Sequence, residues 1–246
     1  MNGMHLLSLS FEQNGHSQVI TPVLLRDEHE LILVDCGYPG FLPLLAEAAN
    51  SQQLDLSALT RVIATHHDVD HIGALAALKQ AYPQIEIIAY ESDAPYVTGA
   101  KTSLRILQAQ ATLASLTGEE LELAEQFIRF LQTIEPAPVE RTVVDQDRLP
   151  WCGGIEIVHT PGHMPGHMSL YLPASQTMIA GDAVVIEDGK LAIANPQYAL
   201  DLADAVRSVR RLLDYEIRQL VCYHGGLFQG DVKQALEELL QRYQTT

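Results

Sequence analysis

A chain of 246 residues with 47% hydrophobic residues can bury one large α/β core or two small ones, and it is too apolar to be disordered. Asp and Glu number 31 against 15 Lys plus Arg, a formal charge of -16 that repels phosphate backbones and argues against a nucleic-acid partner. No run of about 18 apolar residues argues for a membrane span, and Met1 to Gly15 lacks the basic start and continuous apolar stretch of a signal peptide. Cys36, Cys152 and Cys222 are far apart and without CxxC spacing, which argues against a disulfide framework or zinc ribbon and leads us to expect a reduced, cytoplasmic setting.

In chain order, apolar alternation predicts a strand over Met4 to Phe11 and another over Gln18 to Leu25. Glu30 to Asp35 (ELILVD) is a continuous apolar run, the pattern of a strand buried on both faces, ended by Gly37 and Gly40. A helix over Phe41 to Ala49 follows, then a strand at Arg61 to Thr65 (RVIAT), a helix over His71 to Ala81 and a strand at Ile85 to Tyr90. This order is that of a layered α/β protein. Lys101 to Ile134 interrupts it with two helical runs broken near Thr117-Gly118. In the second run Leu121, Ala124, Phe127 or Ile128, Leu131 and Ile134 recur at helical spacing. Such an insert, about 101–134, either packs on the body as an amphipathic hairpin or acts as a lid over a pocket or as a homodimer face. Prolines in Glu135 to Val139 (EPAPV) end it. Strands resume at Arg141 to Val144, Ile155 to His159, Met168 to Leu172 and Thr177 to Ala180. Asp188-Gly189 predicts a two-residue hairpin turn between Val184 to Ile186 and Lys190 to Ala192. A helix over Asp201 to Leu213, with Asp201 able to cap it, a strand over Ile217 to Tyr223 and a helix over Asp231 to Tyr243 complete the chain.

The chemistry concentrates in Thr65-His66-His67-Asp68-Val69-Asp70-His71, between a buried strand and a helix. Loops at strand ends are where α/β sheets place active sites. Alternation sends His66 and Asp68 the same way, while Asp70 and His71 straddle the turn into the helix. So dense a set of imidazoles and carboxylates rarely serves packing alone. His163 projects from the Pro- and Gly-fixed loop Thr160-Pro161-Gly162-His163, Asp182 follows the strand at Thr177, and His224 ends the strand at Ile217. A lone strand-end histidine more often bonds backbone than metal. Ligand-type residues at the ends of four predicted strands point to a metal centre.

This pattern resembles the metallo-β-lactamase superfamily, whose order is HxHxDH, then His, Asp and His, and the likeness runs from Leu31-Ile32-Leu33-Val34-Asp35-Cys36-Gly37 to His224. The resemblance implies one domain over 1–246 with a four-layer αβ/βα sandwich fold and the helical insert. It also implies two divalent metal ions, Zn²⁺ first and Mn²⁺ or Fe²⁺ as alternatives. Site one would use His66, Asp68 and His163. Site two would use Asp70, His71 and His224, with Asp182 bridging. Cys36 stands where the family has Thr, and Asp68 where it usually has His, giving HxDxDH. Three carboxylates and one hydroxide balance two divalent ions, so the centre becomes neutral, and a harder donor set favours Mn²⁺ or Fe²⁺ more than imidazole does. His67 and His167 fall outside this ligand set, as outer contacts or exposed histidines, and His159 orients its turn.

The function implied is hydrolysis of a small ester, thioester or lactone by a metal-bound hydroxide, with Asp70 orienting it or moving its proton. An oxidoreductase on the same fold and a non-catalytic metal-stabilised binding protein are the alternatives. The glutamate that flavin-linked relatives carry in the first motif is absent, and a β-lactamase would need export. Acyl-homoserine-lactone lactonases tend to have Tyr three residues after the bridging aspartate, where Val185 stands; Tyr198 and Tyr223 are the candidate substitutes. The expected partner is a small-molecule substrate, with neither nucleic acid nor membrane.

Overall fold

The computed structural model describes residues 3–13 and 15–244, so the outermost residues of the expected 1–246 span lie outside the described residues. The first half contains β1 (Gly3–Leu6), β2 (Leu9–Gln13), β3 (His16–Ile20), β4 (Val23–Arg26), β5 (Leu31–Val34), α1 (Leu42–Ser51), β6 (Arg61–Ala64), α2 (Val69–Ile72), α3 (Leu75–Ala81), β7 (Glu86–Tyr90) and α4 (Ala94–Val97). The insert forms α5 (Leu104–Thr112) and α6 (Gly118–Leu131). The second half contains β8 (Arg141–Val143), β9 (Arg148–Leu149), β10 (Ile155–His159), β11 (Met168–Leu172), β12 (Thr177–Ile179), β13 (Val185–Glu187), β14 (Lys190–Ala192), α7 (Leu202–Leu212), β15 (Gln219–Cys222), β16 (Gly226–Leu227) and α8 (Val232–Gln244).

Two six-stranded sheets run in the orders β1-β4-β5-β6-β7-β8 and β16-β15-β12-β11-β10-β9. Strands β5 to β8 are parallel, as their helical crossovers require. The period-two alternation of β5 shows how the layers form. Ile32 and Val34 pack with Ile63 and Ile88 against Ile157, Leu170 and Val221 of the other sheet. Leu31 and Leu33 face the opposite way, toward Leu45 of α1 and Leu75 and Leu78 of α3. On the far side of the second sheet, Val158, Met178 and Leu220 meet Val209 and Leu212 of α7 and Leu236 and Leu239 of α8. The result is the helix–sheet–sheet–helix layering that the resemblance implied.

Three expectations are corrected locally. The strand predicted over Met4 to Phe11 is two, because the chain leaves the first sheet after Leu6 and enters a separate hairpin in which Leu9 pairs with Ile20. The strand predicted over Gln18 to Leu25 likewise breaks at Thr21-Pro22; Pro22 has no N–H for a ladder, and the Thr21 N–H donates instead to the Tyr223 carbonyl. The helix predicted over His71 to Ala81 divides around Gly73-Ala74. A Cβ on Gly73 would lie 2.4 Å from the Val69 carbonyl and 2.3 Å from Pro39, so close approach of these segments requires glycine there.

The insert is a helical hairpin, with its break at Leu116-Thr117, and Asp201 caps α7 by accepting from the Asp204 N–H. Ile106, Ile128 and Leu131 of the hairpin pack on Val69, within the first motif. The insert therefore flanks the strand ends where the candidate ligands converge.

Candidate metal centre

The ligand-type side chains come from the carboxyl ends of β6, β12 and β15 and from the loop between β10 and β11. The elements deliver them to one place, in three donor groups: His66, Asp68 and His163; His66, His71 and Asp182; and Asp70, His71 and His224. All seven residues singled out in the sequence are thus brought together. Five of them, Asp68, Asp70, His163, Asp182 and His224, line a cavity of about 590 Å³, within the usual range for small-molecule sites. Val19, Tyr38, Phe127, Val185 and Ile186 supply apolar wall, and Gln18 and Asn195 supply amides.

One part of the cluster has the geometry of an ion cage. His71 Nε2 lies 3.4 Å from Asp182 Oδ1 and 3.7 Å from Asp70 Oδ2. His224 Nε2 lies 3.2 Å from Asp70 Oδ2 and 3.6 Å from Asp182 Oδ1. Tetrahedral coordination at about 2.0–2.2 Å separates neighbouring donors by roughly 3.3–3.6 Å, and these four contacts lie in or close to that range; Asp70, His71 and His224 form one compact triad and His66, His71 and Asp182 another. His71 Nε2 and Asp182 Oδ1 are buried without a hydrogen-bond partner. Unpaired buried polar atoms are costly, and two facing inward in this way fit a divalent cation.

The other part differs. Arg105, on the first turn of α5, forms a two-pronged pair with Asp68: Nε donates to Oδ1 at 3.1 Å and Nη2 to Oδ2 at 2.5 Å. Its Nη1 donates to the Gln108 side chain and to the Tyr198 carbonyl, both at 2.6 Å. His163 Nε2 sits 2.9 Å from Asp68 Oδ2 and 3.3 Å from Arg105 Nη2. Burial by itself would raise the Asp68 carboxyl, but the Arg105 charge and the hydrogen bond from His163 hold it well below the usual carboxylate range. Here the Asp68 oxygens and His163 Nε2 are already engaged, and His66 Nε2 and His163 Nδ1 are left without a partner. Burial, reinforced by His71, holds the His66 imidazole down to about 3.

Surrounding groups fix the cage. Asp35, buried at the end of β5, accepts from the Thr65 N–H and hydroxyl, and its Oδ2 lies 2.8 Å from His71 Nδ1. That contact aims His71 Nε2 inward, as carboxylates do behind metal-binding histidines. Cys36 Sγ donates to the His71 carbonyl. His167 Nε2 accepts from the Asp182 N–H at 2.9 Å, so its proton sits on Nδ1, against Thr160 Oγ1 at 2.8 Å. Thr160 then donates to Ser169, and Ser169 to the Ala180 carbonyl. Burial keeps the His167 imidazole neutral, well below its ordinary value.

His67 and His167, for which exposure was one expectation, are both buried; His67 bonds Asp93 at 2.7 Å and stacks on Tyr96, turned away from the ligand set. His159 stacks on Tyr90 and bonds the Pro165 carbonyl, orienting its turn as expected. The Tyr223 hydroxyl donates to the Asp70 carbonyl and is not free for a substrate, whereas Tyr198 borders the cavity. Sequence reasoning missed Arg105, which on its own reads as an ordinary solvated residue of an amphipathic helix. Asp35 carried a signal in its strand-end Asp-Cys-Gly.

The loop bearing His163 rests on one glycine. Gly162 has φ +128°, and a Cβ there would fall 2.1 Å from the Ala205 backbone nitrogen of α7. Gly162→Ala is expected to cost about 3 kcal/mol through strain and collision. Thermal unfolding checks this; a midpoint within about 2 °C of wild type would show the loop to be more yielding than this packing implies.

Residues 19–224 match the sequence model described as "Metallo-beta-lactamase superfamily". Among curated proteins, the chain is 26% identical over 235 residues to the probable metallo-hydrolase YflN of Bacillus subtilis, covering 89% of this chain and 84% of that protein. It is 24% identical over 127 residues to a hydroxyacylglutathione hydrolase of Rhizobium meliloti, covering 51% of this chain and 34% of the relative. Among solved structures, a metallo-beta-lactamase family protein from Thermus thermophilus superposes with a TM-score of 0.76 at 23% identity, over 99% of this chain and 80% of that one. The fold, the ordered ligand-type residues and the match over most of the chain lead to one conclusion: the protein belongs to the metallo-β-lactamase superfamily.

Proposed function

We propose that the protein is a metal-dependent hydrolase of a small, uncharged ester, thioester or lactone. The observation that carries this is the set of His71 Nε2, Asp70 Oδ2, Asp182 Oδ1 and His224 Nε2, in which each imidazole nitrogen lies 3.2–3.7 Å from both carboxylates beside the cavity. Nitrogen and carboxylate donors in this ratio suit Zn²⁺ first, with Mn²⁺ and Fe²⁺ as alternatives. A divalent ion held there supplies a Lewis acid and water activated near neutral pH.

The chain's own groups do the rest. Apolar walls at Val19, Tyr38, Phe127 and Val185 exclude water from the acyl group, and Gln18 and Asn195 offer hydrogen bonds to a polar end. Asp70, whose side chain is 14% exposed, faces the reacting volume and accepts the proton of the attacking water on its carboxylate. The carbonyl carbon gains the oxygen, the bond to the alcohol or thiol breaks, and that proton passes to the leaving group. Asp35 and His167 keep His71 and Asp182 aimed. Relatives named hydroxyacylglutathione hydrolases support the thioester class. Arg105 is the one permanently cationic side chain among the described lining residues, and it is already paired with Asp68, which favours an uncharged substrate over an anionic one.

Assay of metal-loaded protein against a panel of thioesters, lactones and aryl esters tests this reading. Stripping the ion with a chelator is expected to lower kcat/KM by about a thousandfold, from several kcal/mol of lost charge stabilisation, with recovery on adding Zn²⁺ or Mn²⁺. Turnover unaffected by complete metal removal, or no turnover of any panel member, would reject it.

A further inference from the structure

The two halves of the donor cluster differ in what already satisfies them. In the cage of Asp70, His71, Asp182 and His224, buried atoms of His71 and Asp182 have no partner. In the position formed by His66, Asp68 and His163, Asp68 has both oxygens bonded by Arg105, and its Oδ2 also meets His163 Nε2. A carboxylate oxygen has two lone pairs; Arg105 takes one of those of Oδ2, and His163 takes the other when its Nε2 carries the proton. His163 Nε2 is engaged in either tautomer, as donor to Asp68 or acceptor from Arg105. His66 Nε2 is the donor left open beside Asp68; the other unpartnered atom there, His163 Nδ1, belongs to a ring whose Nε2 is the nitrogen that faces Asp68, and a single imidazole does not hold a divalent ion.

Arg105 is no surface side chain that has folded inward. It is 4% exposed, with Nη1 tied to Gln108 and the Tyr198 backbone and the guanidinium 5.2 Å from the Tyr198 ring centroid. Its backbone is held at the start of α5, where Ser103 caps the helix. Removing such a group from four hydrogen-bond acceptors to admit an ion would cost each of them a partner. The charges agree. One divalent ion and one guanidinium together balance the carboxylates of Asp68, Asp70 and Asp182. Two ions beside the guanidinium would leave an excess of two positive charges.

We propose that Arg105 takes the place of a metal ion: the chain holds one divalent ion, among Asp70, His71, Asp182 and His224, and the Arg105 guanidinium locked on Asp68 supplies the second positive charge of the centre. Arginine suits this role because its charge is permanent and its fork matches a carboxylate. The guanidinium borders the cavity, where it stabilises negative charge developing on a substrate oxygen. The helical insert thereby contributes a residue to the centre as well as a wall to the cavity.

This inference rests on the reading of the cluster as a metal centre, and metal counting separates the two. Stripped wild-type protein, Arg105→Ala and Asp68→Asn are loaded with excess Zn²⁺ or Mn²⁺, passed through a desalting column, and analysed for metal per chain by mass spectrometry, with circular dichroism reporting the fold. Wild type is expected to retain one ion, folded Arg105→Ala two, and Asp68→Asn still one. Two ions on wild type, or one ion on folded Arg105→Ala, would overturn the role given to Arg105. If Arg105→Ala fails to fold, the other two proteins decide: an Asp68→Asn protein that loses its ion would show Asp68 to be a ligand and overturn the proposal. No ion on wild type would overturn the metal-centre reading itself, and this inference with it.

Discussion

Asp182→Ala is expected to strip the ion from the protein and to lower kcat/KM by about a thousandfold or more, the scale of several kcal/mol of lost electrostatic stabilisation. Asp182 Oδ1 is the donor that faces both His71 and His224, and Oδ2 reaches to 3.6 Å from His163. Asp70 Oδ2 also faces His71 and His224, but of the two carboxylates Asp182 is the one that reaches His163 as well. Burial opposes its ionisation, yet the charges of His224 and His71 keep the carboxyl well below its ordinary value, so it is an anion in the folded state. Alanine leaves Asp70 as the one carboxylate against those two imidazoles. Metal content and steady-state kinetics on the same preparation check the result. A variant that keeps its ion and remains within tenfold of wild-type turnover would show that Asp182 is not central.

Asp35→Ala should weaken the protein in two measurable ways, although Asp35 is not among the proposed ligands. Its carboxylate satisfies the Thr65 N–H, the Thr65 hydroxyl and His71 Nδ1, all buried. Leaving such donors unpaired costs about 1–3 kcal/mol each, so a loss of about 3 kcal/mol is a conservative expectation. For a chain of this size that corresponds to a fall of roughly 6–12 °C in the unfolding midpoint. Asp35 also has φ +59°, a left-handed conformation that Asp tolerates better than Ala. The second effect is on metal affinity: a His71 ring without its outer carboxylate should bind the ion about 10–100-fold more weakly. Asp35→Asn distinguishes packing from charge, because its amide fills the same space while offering the wrong group to His71 Nδ1–H. Unfolding scans and metal titration of both variants are the measurements. An unchanged midpoint together with unchanged metal affinity in Asp35→Ala would remove Asp35 from the support of the centre.

Much of this centre could be read from the residues alone. His66, Asp68, Asp70 and His71 lie within one short segment, and His163, Asp182 and His224 each follow a strand, so local spacing and strand ends already group them. The layers were legible for a similar reason: the apolar runs at Leu31 to Val34 and Arg61 to Ala64 mark central strands whatever surrounds them. The break at Leu7-Ser8 was not, because apolar residues continue on both sides of it and the neighbouring strands decide where pairing changes sheets; at Thr21-Pro22 the proline was the one local sign. Tertiary structure also decided the burial of His67 and His167, whose partners Asp93 and Thr160 are brought near by packing. It decided the state of Asp68 above all. By spacing, Asp68 returns to the same pocket as His66, and that much is local. Its partner Arg105 lies 37 residues away on a helix whose other polar residues are mostly solvated. Local pattern shows where a charge sits along the chain, whereas the charge that neutralises it depends on which distant element the fold lays beside it.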